Sequence, residues 1–188
     1  MKYTLTIIFL LPLFLINCSA QKHSKKTSFK DILNKYNLEL NTPSDFREVS
    51  VKNNSNIKYQ YALKHDSTEF EIRFLVTTID TTINLSNSKA FLSLFTSVVL
   101  NASGYIIPKI PIIQELGYDF ANQEYNADEI AVSSFLSKSK FTDGFNICSV
   151  IGIQKNQINA VFIFFMIKNK KKELHLLSKH ANLIKFKS

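Results

Sequence analysis

The chain has 188 residues, 23 basic and 15 acidic side chains, a formal net charge of +8, two cysteines and four glycines. This length is enough for one domain whose core needs no cross-link. Cys18 would either be removed with an export signal or carry a lipid, so Cys148 would be the one cysteine able to form a disulfide. A single cysteine excludes a disulfide scaffold. The shortage of glycine also argues against a phosphate-binding loop.

Residues 1–20 have the composition of an export signal. One lysine is followed by an uncharged apolar run over residues 5–16 and then by small residues. A membrane-spanning helix needs about 20 apolar residues, so this run predicts a signal peptide. The small residues favour cleavage after Ala20, whereas residues 15–18 resemble a lipobox, which would make Cys18 a lipidated first residue. We expect an exported protein, periplasmic or secreted, or alternatively a lipoprotein anchored in the membrane.

The first half of the remaining chain predicts a linker, a helix and three strands. Residues 21–28 are polar and predict a linker, and Ser28 with Asp31 resembles a capping box for a helix that begins at Phe29. The following residues alternate between apolar and polar side chains, which is typical of half-exposed strands joined by short turns. These strands are predicted over residues 46–51, 57–65 and 70–77.

The second half predicts a long helix, a strand group and a closing helix. Helical spacing predicts a helix from Asn87 that ends before Gly104. Residues 105–124 are expected to be irregular, with a single helical turn over residues 112–116 as an option. Further strands are predicted over residues 129–136, 145–154 and 158–167. The last of these is apolar on both faces and is therefore expected to be central and covered on both sides. The closing helix is predicted from a stripe formed by Leu174, Leu177, Ala181 and Ile184.

This order of elements predicts an α+β fold in one domain over residues 29–188. We expect a single antiparallel sheet of about six or seven strands with helices on both faces. Three strands, a long helix, more strands and a closing helix over residues 37–188 resemble the PsbP-type α/β/α sandwich. The resemblance implies a binding or accessory role.

Four short stretches are similar to those of uncharacterised exported proteins of Bacteroidetes. The stretches are residues 61–64 (Tyr-Ala-Leu-Lys), 71–74 (Glu-Ile-Arg-Phe), 124–128 (Glu-Tyr-Asn-Ala-Asp) and 148–155. This similarity implies an exported domain and no particular activity. Asp-Ser-Thr at residues 66–68 and Asp-Thr-Thr at residues 80–82 resemble the O-glycosylation pattern of that group, which makes Ser67 and Thr81 candidate glycan sites.

Patterns for metal or nucleophilic chemistry are missing from the sequence. His175 and His180 are five residues apart and do not share a helix face, so we expect no metal site and no cofactor. Cys148 lies in an apolar run, which predicts an inert buried thiol. Glu124 and Asp128 are interpreted as turn and strand-start residues. The alternative is a hydrolase-type enzyme that uses this acidic loop.

Arg73 is the polar residue of most interest, because it is predicted in the middle of a strand. The favoured interpretation is that Arg73 and Glu71 both join cross-strand pairs on a solvated face. The alternative is a pocket for an anionic or sugar ligand. Its lining would be Arg73, Tyr61 (or Tyr59), Tyr125, Asn126 and Asp128.

The lysine clusters near both ends of the chain are interpreted as solvated surfaces. Attraction to anionic lipid or envelope polysaccharide is the alternative, and the export signal argues against nucleic acid. Membrane attachment is expected only through a lipid anchor at Cys18. We expect a non-catalytic envelope or periplasmic domain with a binding or assembly-accessory role, whose partner is an unknown protein or envelope polysaccharide. A hydrolase-type enzyme and an interbacterial or toxin-neutralising secreted protein are the alternatives.

Overall fold

A computed structural model of the chain describes residues 28–54, 56–79, 87–105, 111–136 and 140–188. The signal segment, including Cys18, lies outside the described residues, and so does Thr81. The helices are α1 (Phe29–Lys35), α2 (Asn87–Ser103), α3 (Tyr118–Tyr125) and α4 (Lys170–Lys179), with a 3-10 helix at Lys140–Thr142. The strands are β1 (Leu38–Leu40), β2 (Phe46–Glu48), β3 (Tyr61–His65), β4 (Glu71–Thr78), β5 (Ile113–Leu116), β6 (Glu129–Leu136), β7 (Ile147–Lys155), β8 (Asn159–Ile167) and β9 (Ile184–Phe186).

Seven of these strands form one antiparallel sheet in the order β2-β3-β4-β8-β7-β6-β5, and β1 pairs with β9 beside it. Strand β8 lies between β4 and β7, and its side chains from Ala160 to Ile167 are buried. The predicted α+β fold class is therefore confirmed, and so is the central position of β8. A strand that is covered on both faces has a continuous apolar sequence, which is why the central position of β8 could be predicted.

The sheet separates two hydrophobic cores. On one face, Ile72, Phe74 and neighbouring apolar side chains pack against α1, α3 and α4. On the other face, Phe162, Phe164 and their neighbours pack against α2 and the 3-10 helix. Helix α2 approaches closely at Gly152, where an added Cβ would lie 2.4 Å from the ring of Phe95.

The region after α2 differs from the prediction. The optional helical turn over residues 112–116 is wrong, because Ile113–Leu116 is the edge strand β5, paired with β6. Helix α3 follows directly, and its N-cap Gly117 has no side chain to cap it. Four residues are too few for an alternation pattern to distinguish a strand, and the usual capping residue is absent.

The closing helix is shorter than predicted, and its predicted stripe is wrong. Helix α4 ends at Lys179, and Ile184 lies in β9, where it pairs with Leu40. Within α4 the buried side chains are Glu173 and Leu176, whereas Leu174 is 45% exposed. Pairing with β1 determines the path of the last residues. Helical spacing reflects only neighbouring residues and does not reveal a partner strand that is distant in the sequence.

The predicted strand over residues 57–65 begins four residues later than expected, because its alternation breaks at Gln60. The side-chain amide of Gln60 accepts the Val76 N–H at 2.8 Å and donates to the Val76 oxygen at 3.0 Å. Tyr59 consequently packs on the α2 side of the sheet, and Tyr61 packs on the opposite side. This break places Tyr59 and Tyr61 on opposite faces of the sheet.

Candidate functional site

Arg73 is buried, and its predicted position on a solvated face is wrong. Only 1% of its surface is exposed, and its Nε donates to Glu71 Oε1 at 2.6 Å. Its Nη1 donates to the carbonyl oxygen of Phe141 in the 3-10 helix. The face that carries Arg73 is covered by α2 and the 3-10 helix, so Arg73 forms its ion pair inside the protein, with Glu71 of the same strand.

Three aromatic rings surround the guanidinium of Arg73. The centroids of Tyr59, Phe141 and Phe145 lie 5.0, 5.1 and 5.8 Å from its central carbon, within the range of cation–π attraction. Among the described residues, Nη2 has no hydrogen-bond partner. Arg73, Glu71 and these rings are called the Arg73 cluster below.

An ion pair at the surface fixes the loop that covers the Arg73 cluster. The amine of Lys52 donates to the carboxylate of Asp143, just after the 3-10 helix. The hydrogen bond from Lys52 lowers the pKa of Asp143, and the same bond raises the pKa of Lys52. The Arg73 cluster is therefore closed by residues of its own chain.

The structure does not bring Arg73 together with the other residues of the predicted ligand pocket. Arg73 pairs with Ala62 of β3, whereas Tyr61 pairs with Phe74 and points to the opposite face. The Tyr125 hydroxyl also belongs to that opposite core and donates to the Ala181 oxygen at 3.2 Å.

Asn126 and Asp128 have structural partners of their own. Asn126 has a left-handed backbone at the end of α3, and its amide donates to the Lys187 oxygen at 2.9 Å. Asp128 accepts the N–H of Asn156 in the β7–β8 turn at 2.7 Å. Ser67 is exposed in the β3–β4 turn.

The acidic residues and the buried thiol also have structural environments. The Glu124 carboxylate accepts a hydrogen bond from the Asn182 amide at 3.1 Å. Asp128 instead accepts from Asn156, so the two carboxylates have different partners. Complete burial raises the pKa of Cys148 far above its usual range, so its thiol stays neutral. Among the described ranges, no three His, Cys, Asp or Glu side chains lie close enough to hold a metal ion.

An open groove lies between α1 and the chain that follows β2. Its cavity volume is about 1260 Å³. One wall is the apolar side of α1 with Leu40, and the other wall is the extended chain of residues 48–54. We call this cavity the β2 groove. Its apolar lining includes Phe29, Ile32, Leu33, Leu40, Val49, Val51, Tyr59 and Tyr61.

The floor of the β2 groove is an aromatic pair with one acidic neighbour. The rings of Phe29 and Tyr61 stack in parallel with centroids 4.4 Å apart. Burial raises the pKa of Tyr61, and the charge and hydrogen bond of Glu48 add to this effect. The exposed amines of Lys30 and Lys58 also line the groove, so its rim is basic.

One wall of the β2 groove carries backbone groups that point away from the sheet. Arg47 pairs with Lys64, and the Val49 N–H donates to the Ala62 oxygen at 3.1 Å. Because such bonds alternate along an antiparallel pair, the N–H and C=O of Glu48 point outward. The same alternation, continued one residue past Val49, predicts this direction for Ser50, which follows the strand. Within the described part of the chain, these outward groups have no hydrogen-bond partner.

The β2 groove has no signature in the sequence. Its backbone groups belong to ordinary residues, Glu48 and Ser50, and no motif marks them. One signal was available: 12 residues separate the end of β2 at Glu48 from the start of β3 at Tyr61. Two-strand hairpins usually have loops of about 2–5 residues, so this distance indicates that the two strands diverge.

No protein-family model matches the chain, and no curated protein sequence matches it either. No α-helix among the described residues is long and apolar enough to span a bilayer.

Proposed function

We propose that this protein is a non-catalytic, exported binding or assembly-accessory domain that holds an extended peptide segment of a partner protein in the β2 groove. The observation that carries the proposal is the outward backbone edge at Glu48, continued at Ser50, beside an open cavity with both apolar and polar lining residues. An extended peptide that adds to a sheet edge gains main-chain hydrogen bonds, and alternate side chains enter pockets.

The lining of the groove defines the class of peptide. Side chains directed at Phe29, Ile32 and Leu33 would be apolar or aromatic, because these residues form the inner wall. Side chains directed at the rim would be acidic, because Lys30 and Lys58 are exposed there. We therefore propose an extended segment in which acidic and apolar residues alternate.

A polysaccharide fits this site less well than a peptide. The unpaired groups of Glu48 and Ser50 alternate as N–H and C=O along an extended backbone, which is the spacing that another extended backbone matches. The groove is also open to solvent, which suits an extended ligand. The leader proposed from the sequence would put this binding outside the cytoplasm.

The test is fluorescence-anisotropy titration with a panel of short synthetic peptides. In each peptide, glutamate alternates with valine, isoleucine, phenylalanine or tyrosine. We expect saturable binding by members of this panel and none by versions with lysine in place of glutamate. The same peptides with N-methyl groups on alternate backbone nitrogens should not bind, because they cannot complete the ladder. Absence of binding across the panel, or equal binding by the N-methylated peptides, would contradict the proposal.

Two pairs of variants locate the binding. Ser50→Pro removes the outward N–H and should abolish binding, whereas Ser50→Ala keeps the N–H and should bind normally. Lys30→Glu with Lys58→Glu should weaken binding by roughly tenfold or more, since two rim charges are reversed. Lys35→Glu with Lys89→Glu changes the net charge equally on exposed residues outside the groove and should leave binding unchanged. Equal losses from the two double variants would contradict this location.

A further inference from the structure

A second cavity, of about 840 Å³, lies at the end of the sheet where β8 leads into α4. We call it the basic end. Its lining includes six basic and three acidic side chains. The basic residues are Arg47, Lys64, Lys168, Lys170, Lys171 and Lys172, and the acidic residues are Asp66, Glu69 and Glu173. The basic end shares no lining residue with the β2 groove.

The three carboxylates of the basic end already accept hydrogen bonds from other groups of the chain. Asp66 accepts from Arg47 at 2.7 Å, and Glu69 accepts from Lys64 at 2.8 Å. Glu173 is 3% exposed and folds back to accept the N–H groups of Lys168 and Asn169, at 2.8 and 3.1 Å. The acids therefore pair with two basic side chains and two backbone groups, and four lysines remain.

Those four lysines face solvent together at the start of α4. Lys168, Lys170, Lys171 and Lys172 are exposed and have no ion pair with any described residue. The N-terminus of α4 adds the positive end of the helix dipole, and the side chain of its N-cap Asn169 makes no capping bond. The result is an electropositive surface at one end of the molecule.

Apolar side chains accompany these lysines. Leu136 lines the basic end and is 64% exposed, and Leu174 on α4 is 45% exposed. Ile147, which pairs with Leu136, also lines the cavity. Lysines beside exposed leucines are the composition of surfaces that rest on the headgroup layer of a bilayer. An acidic polymer in water would attract the lysines but would not favour exposed leucines.

We propose that the basic end docks on the surface of a bilayer that contains anionic phospholipid. The lysines would lie among the lipid phosphates, and Leu136 and Leu174 would enter the boundary between headgroups and acyl chains. This contact goes beyond the peptide-binding function, because it uses a separate surface. It would also hold the β2 groove close to the membrane without any covalent lipid.

The test is co-sedimentation of the full chain carrying Cys18→Ser, which removes the lipidation site, with sucrose-loaded vesicles. One set of vesicles contains phosphatidylglycerol and phosphatidylcholine, and the other contains phosphatidylcholine alone. The readout is the ratio of binding to the two sets, because any apolar leader that remains would partition into both. We expect a ratio well above one at low salt that falls toward one at high salt.

Matched variants decide whether the basic end is responsible. Lys170→Glu with Lys171→Glu should lower the binding ratio by roughly tenfold or more, whereas Lys35→Glu with Lys89→Glu should leave it unchanged. Leu136→Ser should weaken binding to anionic vesicles, and Ile158→Ser should not, because Ile158 is 51% exposed in the turn at the other end of β8.

Three results would overturn the proposal. The first is a ratio of one for the Cys18→Ser chain. The second is an equal loss from the two double lysine variants, which would show an effect of net charge alone. The third is full binding by Leu136→Ser together with complete displacement from vesicles by polygalacturonate, which would identify an acidic polysaccharide as the partner. Failure of peptide binding would not affect these outcomes, since the groove is tested with peptides in the absence of vesicles.

Discussion

The Arg73 cluster and the β2 groove meet at Tyr59 and differ in what fills them. Tyr59 packs against the Arg73 guanidinium, and the same residue lines the groove. In the cluster, Glu71, three rings and a backbone carbonyl cover the charge. In the groove, backbone groups and apolar walls remain open. A charged residue inside a strand can therefore serve the fold, whereas residues with no motif can line an open cavity at an edge of the sheet.

The strongest test of the closed region is removal of Arg73. We expect Arg73→Ala to destabilise the protein by about 3–5 kcal/mol, because it leaves Glu71 buried without its partner. Urea unfolding followed by circular dichroism measures this change. Replacing both charges, with Glu71→Leu and Arg73→Met, should recover most of the loss. A loss of less than about 1 kcal/mol for Arg73→Ala would mean that the cluster is open to water.

Tyr125 tests whether the opposite core is closed in the same way. Burial, with a smaller contribution from Glu124, raises its pKa to about 12. Since the unfolded chain ionises near pH 10, the stability linked to this group is complete below pH 10 and is lost as the pH rises toward 12. The loss should be about 2–3 kcal/mol.

The measurement for Tyr125 is urea unfolding at several alkaline pH values. Tyr125→Phe has no hydroxyl to ionise, so its stability should fall less than that of the unchanged protein over this range. Parallel curves for the two proteins would show that the Tyr125 hydroxyl reaches solvent.

Gly152 tests the closeness of α2 to the sheet above the second core. Gly152→Ala should destabilise the protein by about 1–3 kcal/mol, because the new Cβ would collide with the ring of Phe95. Gly117→Ala is the matched control, because no atom lies within 4 Å of a Cβ there, and its effect should be within about 0.5 kcal/mol. Equal effects in thermal unfolding would argue against tight packing of α2.

The smallest expected change in stability comes from the Lys52–Asp143 ion pair, which holds the loop over the Arg73 cluster. Lys52→Ala should cost at most about 1 kcal/mol, because both side chains of the pair are largely exposed. Amide exchange at Phe141 and Phe145 should nevertheless become faster, since the covering loop loses one attachment. Unchanged exchange at both residues would show that the aromatic contacts alone hold the loop.

Features that depend on neighbouring residues could be predicted from the sequence, and features that depend on residues far apart in the chain could not. Strand β8 and the capping box of Ser28 were predictable, because an apolar run and a local cap are encoded by neighbouring residues. Strand β9 was not predictable, because its partner β1 lies about 150 residues away along the chain. The burial of Arg73 was missed for the same reason: its cover comes from Phe141 and Phe145, which are distant in sequence.

The candidate site was less predictable than the fold. Arg73, Tyr61, Tyr125, Asn126 and Asp128 are polar or aromatic and therefore suggested a pocket, but the structure distributes them over both faces and one end of the sheet. The β2 groove depends on the direction of backbone groups at Glu48 and Ser50. That direction is set by register with β3, and side-chain identity does not encode it.

Amide hydrogen exchange of the backbone, with and without a bound alternating acidic peptide, tests the peptide-binding proposal most directly. If the peptide adds to the edge of the sheet, the N–H groups of Glu48 and Ser50 become hydrogen-bonded and their exchange slows strongly. The backbone N–H of Gln114, in strand β5 at the opposite edge of the sheet, should keep its exchange rate. Slower exchange at Gln114, or binding with no change at Glu48 and Ser50, would contradict the account.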